Sequence, residues 1–133
     1  MAAGGSTAEC PDHTLPLVDS AALDALAEDV GPASAAAFAR DFAAMWPRRR
    51  ARLVRALGRG DRDAALEAAL SLRTSSVMVG AARLAGLAER VEGLVRTNDG
   101  AVAPDLLAAV GLCGDLTVSV LCRGAGGAGQ APA

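Results

Sequence analysis

Imidazoles and thiols, the groups readiest for nucleophilic, basic or metal-binding chemistry near neutral pH, are scarce in this 133-residue sequence, with one histidine and three cysteines. Its single histidine is His13. Cys10 and Asp12 stand beside it, and such a trio can hold a metal. No helical or strand period fixes the three ligands, so His13 reads as a tail residue and no metal site is expected. The other two cysteines, Cys113 and Cys122, fall on one helical stretch. A continuous helix would part their Cα atoms by about 13 Å, too far for a disulfide. Both read as buried, reduced thiols of a cytosolic protein. No glycine-rich phosphate loop, paired carboxylates or Ser-His-Asp set is visible, so neither an enzyme nor a cofactor is expected. Two groups remain. One is the arginine run Arg48-Arg49-Arg50 with Arg52, Arg55 and Arg59. The other is the mid-chain stretch Leu70-Ser71-Leu72-Arg73-Thr74-Ser75-Ser76-Val77-Met78-Val79-Gly80, with a cation and hydroxyls on consecutive helical turns.

Those groups must be held by helices, because no strand period appears anywhere. Asp19 or Ser20 can cap a first helix running to Val30, with Leu23, Leu26 and Val30 as its apolar stripe. Gly31 stops it and Pro32 opens a second helix, which reaches about Leu57. Phe38, Phe42, Met45, Leu53 and Leu57 mark its inner side, and Pro47 predicts a kink or short break. Asp61 caps a third helix that carries the mid-chain stretch and ends near Gly80. A fourth spans Ala81 to about Thr97, with Leu84, Leu87, Val91 and Leu94 or Val95 inward. Asn98-Asp99-Gly100 signals a turn. A fifth spans about Pro104 to Cys122, with Leu107, Val110, Leu116, Val120 and Leu121 available to the core. Short connections between long amphipathic helices predict an all-α, up-down antiparallel four-helix bundle with a short extra N-terminal helix. Residues 1–17 and 124–133, rich in small residues, read as flexible tails flanking a domain at 18–123.

Bulk composition narrows the function. A net charge of −2 and a pI near 5.3 give no electrostatic case for nucleic acid or an anionic membrane. The arginine strip therefore reads first as a solvated helix face, and second as a docking strip for an acidic partner. Trp46 beside Pro47 reads as a core anchor. The N-terminus lacks the pattern of a signal peptide, and Ala101–Cys122 is interrupted by Pro104, Asp105, Gly111, Gly114 and Asp115. A cytoplasmic protein with no membrane segment is expected.

The mid-chain stretch resembles the central motif of histidine phosphotransfer domains, roughly His-x-Leu-Lys-Gly-Ser-Ser with a Gly at the tenth place after the His. Leu72, Ser75, Ser76 and Gly80 match. Arg73 stands for the Lys and Thr74 for the Gly. Gly60-Asp61 before the motif, and Gly80-Ala81, Leu84 and Glu92 after it, also keep register with the family, which covers nearly all of 18–122. The resemblance implies a helical bundle in a two-component phosphorelay. It puts Leu70 where the family's phospho-accepting histidine stands, and a leucine has no nitrogen to phosphorylate. It also implies that position 70 points outward.

Leu66, Leu70 and Val77 share one stripe of the third helix, whereas Ala65, Ala69, Leu72, Ser76 and Val79 form an alternative inner stripe. If the second stripe is the buried one, the first is an exposed apolar patch of the kind that marks protein contacts. The expectation is a degenerate family member without a catalytic residue. It would use Leu66, Leu70, Arg73, Thr74, Ser75 and Val77 to bind a response-regulator receiver domain or a histidine kinase. Arg73, one turn from Leu70, would supply a cation, and Thr74 would crowd the approach slightly. The alternative is a structural or oligomerisation bundle, a homodimer with the Leu70 stripe in its interface.

Overall fold

A computed structural model describes residues 15–97 and 102–130, with side chains through Arg123. Cys10, Asp12, His13 and the Asn98-Asp99-Gly100 turn lie outside the described residues, as does most of the expected N-terminal tail. Five helices and no strand are present among those residues. They are α1 (Ser20–Val30), α2 (Pro32–Gly58), α3 (Arg62–Met78), α4 (Ala82–Thr97) and α5 (Pro104–Gln130).

The caps explain the boundaries. Asp19 and Asp61 have extended backbones, and their carboxylates accept from Ala21 N–H at 3.0 Å and Ala64 N–H at 3.1 Å. Each satisfies an amide that the first helical turn leaves unpaired. Gly80 turns the chain between α3 and α4 with φ +75°. A Cβ there would lie 2.7 Å from the Asp19 carbonyl oxygen, so only glycine fits. Its own carbonyl accepts from Asp19 N–H at 2.6 Å, and Arg83 donates to the Leu15 carbonyl at 2.9 Å. The entry to α1 is thus fastened to the α3–α4 turn.

The four long helices pack as a ring: α2 on α3, α3 on α4, α4 on α5 and α5 on α2. The diagonal pairs stand farther apart, with no Cα atoms within 8 Å of each other among the described residues. The core is aliphatic, with Leu53, Leu72, Leu84, Leu87, Val91, Val95 and Val110 essentially sealed. Alanines at 65, 68, 69, 81 and 88 let the backbones approach. Trp46 is buried, as an anchor should be, and its indole N–H donates to the Asp115 carboxylate at 2.9 Å. The ring lies directly on Gly114, where any Cβ would overlap the indole.

Several inward expectations need correction. Phe38, Met45, Val30 and Leu116 are exposed, and no residue of α1 is fully buried. On α2 the buried line runs through Ala35, Ala39, Phe42, Trp46, Leu53 and Ala56, and Phe38 and Met45 sit about 70° round the helix from it. On α5, Leu106, Cys113 and Thr117 fill the inward positions. Helix α2 continues through Pro47 without a break. The missing N–H of Pro47 costs one bond, to the Ala43 carbonyl, and the half-buried Ala43 is not sealed in the core. Helix α5 continues past Cys122 to Gln130, because glycine weakens the helical ladder without removing its donors and no proline intervenes. Cys122 is exposed rather than buried, and Cys113 is buried. Pro104–Arg123 has the length and a hydropathy of 1.7 that a membrane span would need. Here its inward face is part of the bundle core.

The Trp46–Gly114 contact yields a direct expectation. Gly114→Ala overpacks the α2–α5 seam and lowers stability by about 1–3 kcal/mol. Chemical denaturation reads the loss, and the sole tryptophan reports it by a shift in emission. Unchanged stability and emission would refute the contact.

Candidate protein-docking face

The rotation of α3 decides which motif residues reach solvent. Ala65, Ala68, Ala69, Leu72 and Ser76 are buried, and Val79 is buried just beyond the helix. This is the inner stripe proposed from spacing. Leu70 is consequently 43% exposed and Val77 58% exposed, while Leu66 is half-buried against the core edge. Thr74 is exposed between them.

The two flanks of that face differ. Towards α4, Leu66 and Leu70 line a shallow hollow with Asp61, Asp63, Glu67 and Arg96. Its carboxylates outnumber its cations. Towards α2, a groove is lined by Phe38, Met45, Arg49, Ser75 and Met78. Phe38, Met45 and Met78 are all exposed there. Ser75 does not offer its hydroxyl outward; it donates to the Ser71 carbonyl at 2.8 Å. The Ser71 hydroxyl in turn accepts from Arg49 at 2.5 Å, which ties α2 to α3 beside the groove.

Arg73 is not a free cation. Its Nε donates to Glu92 Oε1 at 2.9 Å, and Arg96 Nη2 holds Glu92 Oε2 at 2.9 Å. The Glu92 side chain is only 5% exposed. A carboxylate this buried needs charged donors on both oxygens, and it receives them from α3 and from its own helix. Much of the positive charge beside Leu70 is therefore compensated.

The structure thus brings Leu66, Leu70, Thr74 and Val77 onto one outward face, with Ser75 at its α2 edge and Arg73 folded back onto α4. Sequence reasoning missed the groove residues Phe38, Met45 and Met78, and it missed Glu92 as an anchor. Arg96, one turn after Glu92, was the available signal for the second. The arginines at 48, 52, 55 and 59 are all exposed, and Arg59 pairs loosely with Asp61 at 3.8 Å. That is the solvated face expected of them. No cluster of metal-ligating residues occurs among the described residues.

This five-helix architecture, with a small-residue third helix ending on Gly80, can be set beside known families. The family model described as Hpt domain matches residues 37–119. The chain belongs to the Hpt domain family. The match begins within α2 and ends within α5, so it takes in all of α3 and α4 and leaves α1 outside. No curated protein and no solved structure matches the chain. Hpt domains are phosphotransfer carriers rather than enzymes in themselves, and they meet receiver domains and kinases in two-component phosphorelays. Membership points this chain to that kind of signalling.

The Glu92 anchor is testable without a partner. Glu92→Gln weakens both charge-assisted contacts and lowers stability by about 1–2 kcal/mol, discounted because both arginines reach solvent. Arg96→Ala costs less, since Arg73 still holds the carboxylate. Urea titrations that rank the two variants in the opposite order would overturn this account.

Proposed function

We propose that this Hpt domain works by contact and does not itself carry phosphate. It docks a response-regulator receiver domain or a histidine kinase in the cytoplasm, and competes with or scaffolds a phosphorelay. The observation that carries the reading is the exposure of Leu70 at the centre of the outer face of α3. By its resemblance to the family motif, position 70 is where the phospho-accepting histidine belongs. Phosphoryl transfer needs a nitrogen nucleophile held against a partner's aspartate, and a leucine supplies none. The chain's one histidine, His13, is far from the motif in sequence.

What Leu70 does supply is apolar area. With Leu66, Val77 and Thr74, and with Met78 toward the α2 groove, it makes a surface suited to a partner's apolar patch. Arg73 contributes as a positioning residue, because Glu92 already holds its guanidinium. The domain needed for this spans 18–123. We read its four long helices as an up-down antiparallel bundle, supported by the ring of neighbours. A further support is the way Arg62, opening α3, donates to the Val95 and Arg96 carbonyls that end α4.

Two measurements test the proposal. Binding to receiver domains and kinases from the same cell is expected for the wild type, with at least a tenfold loss in Leu70→Asp, since a buried unpaired carboxylate costs more than about 1.4 kcal/mol. Absence of binding to every such domain would sink the reading. Leu70→His is expected to gain acid-labile phosphate from a competent kinase, with Thr74 slowing the approach. Acid-labile phosphate on the wild-type chain would overturn the proposal outright.

A further inference from the structure

The outward face of α5 carries a second apolar seam, remote from Leu70. Leu112 is 57% exposed and Leu116 is 46% exposed. They belong to a run of positions, Asp105, Ala109, Leu112, Ser119 and Arg123 with Leu116, spaced alternately four and three apart. That alternation is the spacing of a coiled-coil seam. Every member is exposed or half-buried. Helix α3 and helix α5 lie on the diagonal of the ring, so this seam and the Leu70 face are separate surfaces.

The seam has an internal symmetry. Reversed about position 114, Asp105 falls on Arg123, Ala109 on Ser119 and Leu112 on Leu116. A two-fold axis crossing α5 at that level would lay the helix antiparallel on its own copy. Each Leu112 would then meet the partner copy's Leu116. The small residues at 109 and 119 would let the backbones close. Each end would pair the carboxylate of Asp105 with the guanidinium of Arg123. Neither of those residues has an ion-pair partner among the described residues. A parallel pairing would instead set Asp105 against Asp105 and Arg123 against Arg123, which charge disfavours.

We propose that the outer face of α5 is a self-association surface, and that its occupant is a second copy of this chain in antiparallel, two-fold arrangement. Such an interface is isologous, so one self-complementary patch is enough to build it. The seam from Asp105 to Arg123 is about 27 Å long and carries two leucines per copy. It is shorter than a standard stable interface, so the dimer is reversible and its fraction rises with concentration. This pairing leaves both Leu70 faces open.

Sedimentation of the full chain over a wide concentration range tests the proposal, with helicity followed by circular dichroism as the check on folding. The expected result is a monomer–dimer equilibrium that Leu112→Asp abolishes and Leu70→Asp leaves unchanged. Asp105→Arg and Arg123→Asp alone each turn two attractive end contacts into repulsive ones, and each is expected to weaken association about tenfold. The double variant Asp105→Arg with Arg123→Asp restores both contacts with the charges exchanged, and its association returns towards wild type. A folded monomer at every concentration overturns the proposal. So does a dimer dissolved by Leu70→Asp instead of Leu112→Asp, or a charge exchange that fails to rescue.

Discussion

Ala65, Ala69, Leu72 and Ser76 fix the rotation of α3, and the rest of the outer surface follows from that angle. Their side chains are small or, in Leu72, sealed within the core. Small residues allow close helix approach, and close approach leaves little freedom to roll. A roll of one residue, about 100°, would bury Leu70 and push an alanine stripe into solvent. Nothing in the apolar content of α3 forbids that exchange by itself. The choice is made by neighbours that need small partners, and by Gly80, which sets where α3 must stop.

The Glu92 pair locks the same angle from the other side. A buried carboxylate is costly unless its oxygens are bonded. Once α4 places Glu92 inward, Arg73 is drawn back across the α3–α4 seam. The residue that looks like a ligand for an external anion is thereby spent on an internal one. The face around Leu70 is left apolar, with Asp63 and Glu67 on its flank. A surface of that character suits contact with a protein better than capture of a phosphoryl group.

The helices and most of their ends were legible in the sequence because local chemistry sets them, the exception being the C-terminal end of α5, where glycines did not stop the helix. Asp19, Asp61, Gly31 and Gly80 each do their work within a few residues of chain. The inner stripe of α4 was legible too, whereas on α3 spacing offered two stripes and only the family resemblance favoured the one that is buried. Depth was not legible. Phe38 and Met45 keep helical spacing with buried residues yet sit on the shoulder of the buried arc, and Leu116 lies beyond it, because periodicity does not locate an arc's edge. Pairings across the bundle were equally hidden. Trp46 on Gly114, Arg49 on Ser71 and Arg73 on Glu92 join residues far apart in sequence, and no local rule relates them. The motif told which residue stands at position 70; only packing told that it is exposed.

The junction between Asp19 and Gly80 has a consequence for how the molecule opens. Helix α1 has no fully buried residue, so little apolar area is lost if it detaches. Besides the half-buried Leu23, which packs against the core, it is held at its start by the strap of residues 15–19 against the α3–α4 turn. Its amides should then exchange hydrogen with solvent as one cooperative unit, at a free energy well below that of global unfolding. Because the strap grips the turn that ends α3, each such opening would loosen the helix carrying Leu70 from its C-terminal end. The lightly packed first helix is thereby linked to the face that carries Leu70.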